Sequence, residues 1–381
     1  MRPLEGLLVL EFCQFLAGPS AGLRLADLGA RVIKIERPGK GEAGRKISIK
    51  DLFIEDDSLV FHTINRNKES YAANLKDAAD LERVKRLIER ADIITHNFRP
   101  GVMEKIGLDY DSVKRLNPKI IYAIVTGYGG RGPWANKPGQ DLLVQSMSGL
   151  TWLSGSSNDG PVPFGLAAAD IFCGAHLTQG ILAALLKRSK TGKSVLVEVS
   201  LLESALDIQF EFLTTHLNDG GKLPQRTALK GGAHAYLSAP YGVYQTKDGY
   251  LALAMGNLLQ LGEALRLDLA SGYPDPFMWF DKRDEIISLI QSVIKTETTR
   301  KWLSVLEPLN IWCAEVLNYQ EITQNEGYKV MGIAQQVELP DGSLLTTTRC
   351  PIQINQKKLY SKRPAPKPGV HTALINEEFE L

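Results

Sequence analysis

Short runs of β-branched and aliphatic residues alternate with helical patterns through the first half of the chain. Residues 7–11 and 31–35 read as strands, with a helix over 18–28 between them and a break at Arg37-Pro38-Gly39 after the second. A further strand is expected over 71–75, and a helix over 78–90 whose Leu81, Val84, Leu87 and Ile88 share one face. Residues 92–95 and 119–126 continue the strand series, 140–150 and 171–187 read as helices, 195–199 as a buried strand, and an amphipathic helix runs on to about 217. Alternation of this kind predicts an α/β fold with an open parallel sheet covered by helices on both faces.

From 218 to 233 the pattern dissolves into Gly, Lys, Pro and Arg, the composition of a linker. A smaller α+β domain is expected beyond it. Strands over 241–245 and 250–254 turn at Lys247-Asp248-Gly249, and helices follow over 258–265, 283–294 and 300–306. A hairpin over 337–339 and 343–347 turns at Asp341-Gly342, before an irregular tail around 364–368. The domain limits this implies are 1–220 with 325–381 for the large domain and 221–324 for the small one.

The 381 residues, 44% hydrophobic and 23% charged, suffice for two cores. With 44 basic and 43 acidic side chains the net charge is +1, so no whole-molecule field draws the chain to nucleic acid or to an anionic membrane. Any anionic ligand must be held by local groups. The opening lacks a signal-peptide pattern, and no apolar run is expected to reach membrane-spanning length. Cys13, Cys173, Cys313 and Cys350 are far apart, with no CxxC pair and no clustered histidines, so reduced thiols, no metal and a cytoplasmic location are expected.

Gly127-Tyr128-Gly129-Gly130-Arg131-Gly132 fits the spacing of a dinucleotide-binding loop. Pro133 and Lys137-Pro138-Gly139 follow, so no helix begins there to face a pyrophosphate, and a glycine-rich turn is the better reading. Asp170 stands where the apolar helix begins, which marks it as an N-cap. The same helix start would keep its carboxylate ionised and able to act as a nucleophile. Asn97-Phe98-Arg99-Pro100-Gly101 and Arg37 both follow strands, where open α/β sheets bind ligands and where basic side chains could converge on phosphate. No histidine stands in a Ser/His/Asp setting, and His234 lies on a loop that could touch substrate.

Taken in order, these segments resemble the family III CoA-transferases over nearly the whole chain. The resemblance rests on residues 6–12, on Leu16-Ala17-Gly18-Pro19, Leu25-Ala26-Asp27-Leu28-Gly29-Ala30 and Val32-Ile33-Lys34-Ile35-Glu36-Arg37-Pro38. It extends to Asn65-Arg66-Asn67-Lys68, Asn97-Phe98-Arg99-Pro100-Gly101, Gly127-Tyr128-Gly129, and Pro240-Tyr241-Gly242 with Asp248-Gly249. It implies that Asp170 attacks an acyl-CoA thioester to give an acyl-aspartyl anhydride and then an aspartyl-CoA thioester. It also implies that coenzyme A, as substrate and product with no tightly bound cofactor, meets Leu16, Ala17, Arg37, Ala73, Asn74, Leu75, Lys76, Asn97, Phe98, Arg99 and Lys105.

Asp141 matches an acidic position near the nucleophile, and Gly231 and Gly232 match the region of the family's substrate-gating glycines, which is a longer run in formyl-CoA transferase. The family's racemases carry a histidine where Gln140 stands here, and an amide cannot serve as a base, which favours transfer over racemisation. CoA binding without turnover is the third alternative. The implied fold is a large Rossmann-like domain with a smaller one, in an interlocked homodimer. The implied partners are an acyl-CoA and a small organic acid, such as succinyl-CoA with a dicarboxylic acid.

Overall fold

Strands that are apolar on both faces can be buried only inside a layered sheet. In the computed structural model, which describes residues 2–381, six strands form one parallel sheet, its inner strands mostly aliphatic and its edge strands more polar or exposed: β1 Leu8–Glu11, β2 Arg31–Glu36, β3 Glu69–Ala72, β4 Ile93–His96, β5 Ile121–Thr126 and β6 Val195–Ser200. Their order across the sheet is β3-β2-β1-β4-β5-β6, with Val9 of β1 opposite Val32 on one side and Ile93 on the other. The order reverses between β1 and β4, as in doubly wound sheets that bind ligands at that point.

The Ala78–Arg90 helix forms as its sequence predicts. Asp77 caps it by accepting from the Ala79 and Asp80 amides, and Val84, Leu87 and Ile88 pack with Leu10, Ile33, Tyr71, Ile94 and Tyr122. The C-terminal helix Thr372–Phe379 adds Ile375 to the same core, and Tyr71 Oη donates to Asn376 Oδ1 at 2.8 Å. The Ala168–Thr191 helix corrects one expectation, since it is long and apolar enough to cross a membrane. Here it buries Cys173, Leu177, Ile181 and Ala184 within the fold. It meets the Ala17–Asp27 helix at Gly174, where a Cβ would lie 2.1 Å from Ser20 Oγ and 2.7 Å from the Ala17 carbonyl oxygen.

The chain divides into two units, one holding the sheet with residues up to Val144, Ala167–Ile208 and Val330–Leu381, the other Gln145–Leu166 and Gln209–Lys329. These limits differ from 1–220, 221–324 and 325–381 for two reasons (Met1 itself lies outside the described residues). The helix expected to run to 217 breaks into Leu201–Asp207 and Phe210–Asn218. Gln145 ties down the stretch after it, donating to the Leu166 carbonyl at 2.8 Å and accepting from the Phe164 amide at 3.0 Å.

The second unit carries a three-stranded antiparallel sheet, Gly242–Gln245, Tyr250–Leu253 and Cys313–Glu315, with Tyr250–Leu253 in the middle. Helices Leu258–Leu265, Arg283–Ile294 and Thr299–Leu306 cover it, burying Leu261, Leu265, Ile286, Ile290 and Trp302 against Tyr244 and Leu251. The hairpin Ala334–Glu338 with Leu344–Thr348 belongs to the first unit.

Candidate active site

Parallel strands end on one edge of their sheet, so the turns after β1 to β4 share that edge. Leu16 and Ala17 follow β1, Arg37 follows β2, Ala73 to Lys76 follow β3, and Asn97, Phe98 and Arg99 follow β4. Lys105 ends the short helix Val102–Lys105 just beyond. The strand expected to reach residue 75 stops at Ala72, because Asn74 starts a turn: its carbonyl accepts from the Asp77 amide at 2.8 Å and its side chain from the Lys76 amide. Arg37, Lys76, Arg99 and Lys105 are exposed and make no ion pair among the described residues.

At the switch point two loops are stitched together. The Gln14 amide donates to Asn97 Oδ1 at 2.8 Å, and Asn97 Nδ2 donates to the Gln14 carbonyl at 2.7 Å. His96 is buried, and burial pulls its pKa down to about 4, so the ring is neutral. It stacks on Phe98 with centroids 6.1 Å apart and meets Tyr122 edge-on at 5.3 Å, which fixes the Phe98 ring at the edge of the sheet.

Asp170 is not the N-cap. The helix begins earlier, at Ala168, because the buried alanines before Asp170 are strong helix formers, and Ala167 holds the cap position without a side-chain bond. Asp170 therefore sits in the first turn, and its amide donates to Asp141 Oδ1 at 3.1 Å. Asp141 heads the helix Asp141–Met147 and is 6% exposed, so it supplies from outside the acceptor that the Ala167 cap lacks. The ionisation expected of Asp170 is also corrected. Burial, reinforced by the Asp141 charge, pushes its carboxyl up to about 7. Burial pushes the Cys173 thiol, one turn on, up to about 12, so it stays protonated.

The glycine-rich loop after β5 is a turn, as its prolines imply. The Gly129 amide donates to Thr126 Oγ1 at 2.9 Å, and the loop closes where Gly127 and Gly139 meet back to back: a Cβ on Gly139 would lie 2.4 Å from Gly127 Cα. This pinch delivers exposed Gln140 and buried Asp141 to the start of the next helix.

Gly231, Gly232 and His234 lie in the second unit. Gly231 has φ +91°, and a Cβ there would sit 2.1 Å from the Val243 carbonyl oxygen, so glycine is required by close backbone approach. Gly232 bridges to Gly242. His234 stacks on Phe212 at 4.1 Å and accepts from the Tyr236 amide through Nδ1, while burial lowers its pKa against the opposing pull of Glu211.

One arrangement was not legible in the sequence. His176 Nδ1 lies 2.9 Å from Ser204 Oγ, and its Nε2 lies 3.2 Å from Asp207 Oδ2, the order of a hydrolytic triad. Ser204 is 2% exposed while the Asp207 side chain faces solvent, the reverse of what a serine nucleophile needs, so the trio fastens the Ala168–Thr191 helix to Leu201–Asp207. Among the described residues no group of three or more His, Cys, Asp or Glu side chains is placed to hold a metal.

The sequence matches CoA-transferase family III over residues 4–372. The chain belongs to that family. Among family III relatives it is 31% identical to succinyl-CoA:glutarate CoA-transferase of Mus musculus, covering 99% of this chain and 86% of the relative. It is 33% identical to succinate–glutarate CoA-transferase of Agrobacterium fabrum, over 99% and 96% of the two chains. The crystal structure of a CAIB/BAIF family protein from Brucella suis superposes with a TM-score of 0.84 at 31% identity, covering 99% of each chain. The protein is therefore an enzyme, a family III CoA-transferase with coenzyme A thioesters as its chemistry.

Proposed function

We propose that this enzyme moves coenzyme A between two dicarboxylic acids through covalent intermediates on Asp170. The observation that carries the reading is the placement of Asp170. It lies one helical turn before the Gly174 contact with Ala17, which follows β1 on the sheet edge that also carries Arg37, Lys76, Arg99 and Lys105, all exposed and without an ion pair among the described residues. Four exposed cations suit the phosphates of the nucleotide end, and a half-buried carboxylate suits the thioester end.

The Asp170 carboxylate attacks the donor thioester carbonyl, forming the anhydride and releasing the CoA thiolate. The thiolate attacks the aspartyl carbonyl, giving the aspartyl-CoA thioester and the free donor acid. The acceptor carboxylate then attacks that thioester, and the thiolate recovers the new acyl group, leaving Asp170 as a carboxylate. Acylation removes one of two neighbouring negative charges, so the repulsion from Asp141 that raises the Asp170 pKa in the free enzyme is relieved as the first bond forms.

Succinyl-CoA and a five-carbon diacid are the proposed pair, from the names of the relatives. An interlocked homodimer is part of the same reading, supported by large apolar side chains left exposed in the second unit, among them Leu217, Leu223 and Trp312. So is a cytoplasmic location, supported by four unpaired thiols.

The test is intact-protein mass after incubation with a panel of acyl-CoAs, then hydroxylamine trapping and peptide mapping. An acyl or CoA adduct on Asp170, absent in Asp170→Ala, supports the reading and reports the donor. No adduct with any donor, together with α-proton exchange in deuterated buffer, replaces it with racemisation.

A further inference from the structure

Glu11, Lys34, Glu42 and Lys68 form a buried cluster of two acids and two bases beside the loop that joins β1 to the Ala17–Asp27 helix, and none is more than 5% exposed. Lys34 Nζ lies 3.0 Å from Glu11 Oε1 and 3.3 Å from Glu42 Oε1, and Lys68 Nζ lies 2.9 Å from both Glu11 oxygens. The helix makes room for them: a Cβ on Gly22 would sit 1.7 Å from Glu11 Oε2. Well-packed apolar side chains often stabilise a core as well as buried ion pairs do, so stability alone is a weak reason for such a cluster.

What apolar side chains cannot do is hold polar backbone. Lys34 Nζ donates to the Cys13 carbonyl at 2.7 Å, Lys68 Nζ donates to the Pro19 carbonyl at 2.8 Å, and Glu42 Oε2 accepts from the Phe15 amide at 3.0 Å. Phe15 itself is held at φ 67°, a region bulky residues rarely adopt and keep only where their surroundings over-determine it. Leu16 and Ala17 lie between these three anchors, and Gly174 of the Asp170 helix touches the Ala17 carbonyl.

We propose that Glu11, Lys34, Glu42 and Lys68 are positioning residues that fix the backbone of residues 13–19 in the conformation that receives coenzyme A. The proposal rests on the reading of this sheet edge as the CoA site. A loop already fixed before binding loses less freedom on association, so loosening it weakens CoA without touching the acceptor acid.

The experiment measures CoA affinity by calorimetry, together with kcat/KM for donor acyl-CoA and for acceptor acid, in Glu42→Gln, Lys34→Met and Lys34→Arg. The Phe15 and Gly44 amides both donate to Glu42 Oε2, so Glu42→Gln can keep both with its one oxygen while removing the charge that faces Lys34, and it is the milder change should Lys34→Met fold poorly. The expected result is about a tenfold rise in the CoA Kd and a matching fall in kcat/KM for the donor. The value for the acceptor should stay within about twofold, and Lys34→Arg should recover part of the loss. Variants that melt earlier but bind CoA as wild type does would overturn the proposal alone. A wild-type protein that binds no CoA would overturn the reading of the site on which it rests.

Discussion

The Asp170 amide donates to the Asp141 carboxylate at 3.1 Å, so the group that caps the Asp170 helix is also the one that repels the Asp170 charge. The two roles can be separated. Asp141→Asn keeps an oxygen for the Asp170 amide but removes the charge, and the Asp170 carboxyl should then titrate below about 7. The acid limb of the kcat/KM profile should move to lower pH by a measurable fraction of a unit. A limb that stays in place shows that burial alone sets the ionisation.

The raised Asp170 pKa has a stability consequence with a definite sign. An unfolded aspartate titrates near 3.8, whereas the folded one titrates near 7. Between those values the native state retains a proton that the unfolded chain has released, so this group's contribution to stability falls as pH rises and is fully lost above about 7. At ~1.4 kcal/mol per pH unit the total approaches ~4 kcal/mol. Asp170→Asn carries no such penalty, so calorimetry at pH 8 should find it melting above wild type, with the gap closing near pH 4. A variant that melts lower at pH 8 would show that the carboxylate makes favourable bonds outweighing its burial.

Much of the sheet was legible because strands buried on both faces print continuous aliphatic runs, and residues 78–90 print a full helix from cap to last turn. The edge bearing Arg37, Asn97 and Arg99 followed from strand ends alone. Helix starts were less readable: nothing local at Asp170 shows that the helix begins at Ala168 or that its acceptor comes from Asp141, 29 positions away. The glycine contacts are likewise products of tertiary approach. The sequence does carry a signal for the buried cluster, a lysine inside the apolar run Val32-Ile33-Lys34-Ile35, where a charge in a buried strand demands partners.

Gly174 sets the spacing between the Asp170 helix and the start of the Ala17–Asp27 helix. In Gly174→Ala the new methyl would lie 2.7 Å from the Ala17 carbonyl oxygen and 2.1 Å from Ser20 Oγ. The hydroxyl can rotate away but the carbonyl cannot, so the helices must separate by a few tenths of an ångström. If Asp170 is the nucleophile proposed above, displacement on that scale should lower kcat by roughly tenfold or more, with a smaller change in CoA affinity. Single-turnover formation of the Asp170 adduct measures this directly.

Asn97 joins the two switch-point loops through both ends of its amide. Asn97→Asp keeps the acceptor for the Gln14 amide but replaces the donor to the Gln14 carbonyl with a second acceptor. The facing oxygens should part, at a cost of roughly 1–3 kcal/mol in stability. CoA affinity should fall with it, since Phe98 and Arg99 follow on the same turn. Equilibrium unfolding and CoA titration of the variant check the two effects separately.

Gly231 poses a sharper question, because its family likeness suggests contact with substrate while its backbone already explains why it is glycine. At φ +91°, with a Cβ only 2.1 Å from the Val243 carbonyl oxygen, alanine must break the 2.8 Å bond from the Val243 amide to the Gly231 carbonyl. Left-handed strain alone costs about 1–2 kcal/mol. Gly231→Ala should therefore lower the urea midpoint of unfolding. Gly256→Ala, in the same unit with open space around its Cβ position and no positive φ, should leave the midpoint within error. If Gly231→Ala keeps the wild-type midpoint yet raises KM for the acceptor acid, the glycine serves the substrate. If the midpoint falls and KM at a permissive temperature does not move, its role is to let two strands of backbone meet.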